Sequence, residues 1–105
     1  MSVLRRYEIL LPSRFNDGQP VPNQLVAEAL LVLRKQFGAV SWENQIIQGQ
    51  WEHEGVIYRD DLIRVFVDVG DTPENRQFFL QFKEKIKTDF KQVDIWLTSY
   101  LLDVL

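Results

Sequence analysis

Residues 62–69 alternate without a slip. Ile63, Val65, Val67 and Val69 fall on one side, and Arg64, Phe66 and Asp68 on the other. Successive side chains of an extended chain point to opposite faces, so hydrophobicity with a period of two marks a strand with one buried face. The next five residues, Gly70-Asp71-Thr72-Pro73-Glu74, form a helix start. Asp71 or Thr72 can cap, Pro73 suits the first helical position, and Glu74 meets the positive end of the helix dipole. Phe79, Phe82, Ile86 and Phe90 then recur at helical spacing, with Phe78 and Leu80 at the flanks and Arg76, Lys83, Glu84 and Lys87 opposite. A one-sided strand that runs straight into an amphipathic helix restricts the chain to folds in which helices cover the aliphatic side of a sheet.

The rest of the chain reads in the same terms. Residues 3–11 predict a first strand, with Tyr7, Ile9 and Leu11 on one face and Glu8 on the other, closed by Pro12. Residues 12–22 hold dense turn chemistry, including Asp17-Gly18. Asn23 follows Pro22 as an expected N-cap. Val26, Ala29, Leu30, Leu33 and Phe37 trace one apolar helix stripe that ends at Gly38, after Arg34 and Lys35 in the last turn. Residues 40–51 predict a second strand of unclear phase, with a bulge or close backbone approach at Gly49. Glu52-His53-Glu54-Gly55 predicts a hairpin connection. Residues 93–100 predict the fourth strand, Val93, Ile95 and Leu97 alternating with Asp94, Trp96, Thr98 and Tyr100. The apolar end, Leu101-Leu102-Asp103-Val104-Leu105, either extends that strand or reaches a second subunit.

The order β-α-β-β-α-β in 105 residues predicts one α+β domain, 1–105. The economical arrangement is a two-layer sandwich: a ferredoxin-like fold, with a four-stranded sheet and both helices on one face. If the aliphatic side chains lie beneath the helices, then Arg64, Phe66, Asp68, Trp96, Thr98 and Tyr100 lie on the open face, with Asp94, Glu8 and Leu10. The second strand adds Ile46, Gln48 and Gln50 to that face, or Trp51 if its register shifts. Aromatics mixed with arginine are what protein–protein interface cores favour. The leading expectation is therefore an interaction or assembly module, a homodimer joined through the aromatic sheet face. The alternative is a small-molecule-binding protein or small enzyme with a pocket on that face, using Arg64, Asp68, Trp96 and Tyr100. The third reading is cover of the rings by long side chains such as Arg64, with nothing bound.

Composition narrows the chemistry. The chain has no cysteine, which excludes disulfides, thiolate metal sites and cysteine nucleophiles, and is compatible with the expected cytoplasmic location. Its net charge of −3 argues against general phosphate-backbone binding. Lys83, Lys85, Lys87 and Lys91 interleave with Glu84 and Asp89 and read as a solvated helix face. No stretch approaches the roughly 18–20 apolar residues of a membrane-crossing helix, and the run Ile9-Leu10-Leu11 is too short for a secretory signal. His53, the single histidine, lies near Glu52, Glu54, Asp60 and Asp61 without repeating metal-ligand spacing. Asp60-Asp61 with Asp68 could form paired carboxylates, but an ion pair of Asp68 with Arg64 is the simpler expectation. No nucleophile elbow or phosphate-cradling glycine loop occurs. No catalytic residue, metal site or cofactor is assigned from the sequence, which leans away from catalysis.

Overall fold

The computed structural model describes residues 3–43 and 46–105. In chain order the elements are β1 (Val3–Pro12), α1 (Asn23–Phe37), β2 (Ser41–Trp42), β3 (Ile47–His53), β4 (Val56–Gly70), α2 (Pro73–Asp89) and β5 (Leu97–Asp103). The sheet is antiparallel, in the order β2-β4-β1-β5, with β3 also paired to β4. Central β1 is flanked by β4 and β5, the strands that precede and follow α2. This is the expected α+β sandwich, in a sheet of five strands rather than four.

The extra strand comes from the stretch read as one strand over 40–51. Trp42 lies opposite Val65 and Ile47 opposite Leu62, so residues 43–46 span only Ile63 and Arg64 on the partner strand. The surplus breaks the edge into β2 and β3. Gly49 is not the break: β3 pairs regularly from Ile47 to His53. Gly49 does mark a close approach, since a Cβ there would lie 3.3 Å from Leu62 Cδ1. Asn44 and Gln45, inside the predicted strand, lie outside the described residues.

The hairpin itself forms as expected. Glu54 and Gly55 have φ of 50° and 78°, the pair of left-handed residues that lets a two-residue turn match strand twist. That turn sets Trp51 against Tyr58.

The last strand starts later than 93. Lys91 takes a left-handed turn with φ of 53°, and pairing with β1 runs from Leu97, opposite Ile9, to Asp103, opposite Val3. The apolar tail thus extends the strand. Val93, expected beneath the helices, is exposed, whereas Ile95 is buried without belonging to a strand.

The helix starts differ in chemistry. Thr72 Oγ1 accepts the Asn75 N–H at 3.1 Å, while Asp71 pairs with Arg5. Asn23 does not cap α1; Pro22 holds the cap position with no side-chain bond, and Asn23 is the first helical residue. Gly38 closes that helix with φ of 83°.

Tyr7, Ile9, Leu11, Val65, Val67 and Val69 form one layer of the core. Ala29 and Leu33 of α1 and Phe79, Phe82 and Ile86 of α2 form the other, joined by Phe90. Tyr7 and Phe79 stack with ring centroids 4.0 Å apart. Both helices therefore share one side of the sheet, and the even-numbered positions of β1 and β4 are left on the other.

Beyond the partners of β1, β4 continues with β3 as a two-stranded arm. Its two sides differ in kind. Ile47, Gly49 and Trp51 with Leu62, Asp60, Tyr58 and Val56 lie on the open-face side, by their register with Arg64 and Phe66. Gln48, Gln50, Glu52, Arg59 and Asp61 lie on the other.

Candidate functional site

The predicted face residues divide into two groups. In the first, Phe66 lies between two arginines, with the guanidinium carbons of Arg6 and Arg64 each 4.5 Å from its ring centre. Arg6 holds both oxygens of Asp68, at 2.7 and 2.9 Å. Arg64 donates to Glu8 and to Glu43, each at 2.5 Å, and Tyr100 Oη donates to the same Glu8 oxygen at 3.0 Å. Thr98 stands opposite Glu8 on β5.

The expected Arg64–Asp68 pair does not form. Four residues along a strand lie about 13 Å apart, whereas directly opposed residues sit about 5 Å apart. Register puts Arg6 across from Asp68, so Arg6 takes that carboxylate and Arg64 turns to Glu8 and Glu43. The Arg64 hydrogen bond, helped by Tyr100, holds the Glu8 carboxyl below its ordinary value against the upward push of burial. The same carboxylates raise the pKa of Arg64. Around Phe66 the face is covered by its own ion pairs, while Tyr100 stays exposed.

Trp96 belongs to the second group. It lies just before β5, 66% exposed, at the rim of a cleft of about 410 Å3 lined by Leu10, Pro12, Gly49, Gln50, Trp51, Asp60, Leu62, Gln92, Asp94 and Ile95 besides Trp96 itself. One wall is the arm, the other is the segment 92–96, and the floor comes from the ends of β1 and the middle of β4. The arm wall is ordered from within: Trp51 stacks on Tyr58 with centroids 4.4 Å apart, and its Nε1 donates to Asp60 Oδ2 at 2.7 Å. Opposite, Gln92 donates to the Phe90 carbonyl. Burial pushes the Asp94 carboxyl up, but the Ile95 N–H and the Lys83 ammonium hold it below its ordinary value.

Leu62 is not among the sequence candidates, Trp51 enters only as a register-dependent option, and Asp60 enters only as a carboxylate near His53 or paired with Asp61 and Asp68, not as part of this cleft. Counting outward from the Glu54-Gly55 turn would have placed Trp51 against Tyr58 and on the open side. Nothing in the sequence brings residues 92–96 to the same cleft.

The other sequence candidates lie elsewhere. Asp61 points away from the cleft and meets Arg14 at 3.7 Å, and His53 Nε2 lies 3.8 Å from Glu54 at the arm tip. Lys83, Lys85 and Lys87 pair with Asp94, Asp89 and Glu84, and Lys91 sits over the Phe15 ring. Among the described residues no group of three or more His, Asp or Glu side chains could hold a metal ion, and no helix is long and apolar enough to cross a membrane.

The cleft offers two indoles, an aliphatic floor and the carboxylates of Asp60 and Asp94: surfaces for a flat ring and for a cation or hydroxyl donor. No protein-family model and no curated protein sequence matches the chain. Among solved structures, it is similar to a phage SAM lyase in complex with S-methyl-5'-thioadenosine, with a TM-score of 0.68 and 14% identity over 96% of this chain and 90% of that one. A phage SAM lyase in the apo state gives 0.59 and 13% over 98% and 90%. At these identities the likeness is one of fold.

Proposed function

We propose that the chain binds a nucleoside thioether, or the sulfonium compound from which one forms, in the cleft between Trp51 and Trp96. The ligand class is that of S-methyl-5'-thioadenosine and S-adenosylmethionine. The observation that carries the reading is a pair of indoles flanking a cavity of about 410 Å3 with Asp60 in its wall. That volume falls in the range of small-molecule sites, roughly 300–1,000 Å3. Adenine is flat and stacks on indole. A methylthio group is apolar and suits Leu10, Pro12 and Leu62, and ribose hydroxyls are donors that a carboxylate accepts. The shared fold with a lyase that holds this thioether supports the choice of ligand.

Titration calorimetry with S-methyl-5'-thioadenosine and with S-adenosylmethionine tests the reading, with tryptophan fluorescence in parallel. Saturable binding with a change in indole emission is expected. Absence of either signal at about millimolar ligand would remove the proposal. Incubation with S-adenosylmethionine followed by chromatography asks in addition whether S-methyl-5'-thioadenosine, the thioether held by the lyase of similar fold, is released.

A second reading, self-association through the open face, draws on a different observation. Trp96 and Tyr100 are 66% and 44% exposed on the side that carries no helix, and the arm turns Val56 and Tyr58 the same way. Two such faces packed together would take these rings from water. Sedimentation that finds only monomer at high micromolar concentration excludes it.

A further inference from the structure

We infer that Asp60 makes the cleft prefer a positively charged sulfonium to a neutral thioether of the same shape, an inference that rests on the cleft being the ligand site. The other acidic groups of the open face and of the cleft walls each contact a basic side chain, one guanidinium serving both Glu8 and Glu43. Asp68 is held by Arg6, Glu8 and Glu43 by Arg64, Asp94 by Lys83, and Asp61 by Arg14. Asp60 has no ion-pair partner among the described residues, although it is half-buried in the cleft wall. Its hydrogen bond comes from the indole N–H of Trp51, which reaches Oδ2 at 2.7 Å. An indole is a neutral donor, so it orients the carboxylate without discharging it and leaves Oδ1 for a ligand. Half-buried beside apolar groups, an unpaired carboxylate attracts a cation more strongly than it would in bulk water.

S-adenosylmethionine and S-adenosylhomocysteine differ by one methyl group and the charge on sulfur, so their affinity ratio isolates the effect. Calorimetry on the wild type, Asp60→Asn and Asp60→Glu is the experiment. The wild type is expected to favour the sulfonium by about tenfold. Asp60→Asn keeps an acceptor for Trp51 and is expected to bring the ratio to about one, while Asp60→Glu retains the preference. The Trp51 indole N–H resonance reports whether each variant keeps the wall intact. Salt reads the same charge without a substitution: the wild-type ratio should shrink as sodium chloride is added. Equal wild-type affinities, a salt-independent ratio, or a preference that survives in Asp60→Asn overturns the inference and leaves the cleft as a site. Failure of both nucleosides to bind the wild type overturns the cleft reading itself.

Discussion

Glu8 is the residue on which the covered half of the open face turns. One of its oxygens accepts from Arg64 and from Tyr100, and Arg64 reaches Glu43 from its other side. Three strands and the β2–β3 connection are thereby tied together above Phe66. The Glu8 carboxyl is held below its ordinary value of 4.5. A carboxyl whose folded pKa is depressed contributes stability that is complete above its unfolded value and lost as pH falls through the folded one. Stability should therefore drop as pH falls below about 4.5. Glu8→Gln should flatten that part of the curve, as read by denaturant unfolding at a series of pH values. An unchanged slope would mean that other carboxylates dominate. Tyr7 presents the opposite case: its hydroxyl is buried and has no hydrogen-bond partner among the described residues, although its ring stacks on Phe79. Tyr7→Phe should leave stability unchanged or raise it, because removing an unpaired buried hydroxyl removes a desolvation cost; a loss above about 1 kcal/mol in thermal unfolding would show that the hydroxyl is bonded in solution.

Among the elements, the arm is the one that the helices do not support. β3 pairs with β4 alone, and a two-stranded ribbon is marginal in water without packing on one side. The arm packs on itself through Trp51 and Tyr58 and through the Trp51–Asp60 bond. Amides of β3 should therefore exchange with solvent faster than those of β1, which has a partner on both sides. A ligand seated between Trp51 and Trp96 should slow the β3 amides selectively. Equal exchange in β3 and β1 without ligand would show that something else braces the arm. Helix α2 lies at the other extreme, with Phe79, Phe82 and Ile86 buried. Phe82→Ala should cost about 3–5 kcal/mol in chemical unfolding.

For the molecule as a whole, the two faces of one sheet carry different duties. The helix side holds the core, and the open side holds the ion-pair network and the cleft. Trp96→Ala should therefore weaken nucleoside binding while moving the unfolding midpoint little, the reverse of Phe82→Ala. Comparable loss of stability in both would place Trp96 in the core. The division into faces was legible in the chain, because alternation in Ile63 to Val69 and helical spacing in Phe79 to Phe90 are local patterns that answer to one physical demand, the removal of aliphatic groups from water. From it came the two helices, the antiparallel sheet and the placement of Arg64, Phe66, Asp68, Thr98 and Tyr100 on one side. Pairing across strands was not legible: Arg64 and Asp68 are neighbours in sequence terms, yet register hands Asp68 to Arg6. The split of the second strand and the late start of β5 escaped for the same reason, since each depends on how many residues of one strand face a given stretch of another. The cleft escaped most completely. Its walls come from segments more than 30 residues apart, and no periodicity within either segment encodes the distance between them.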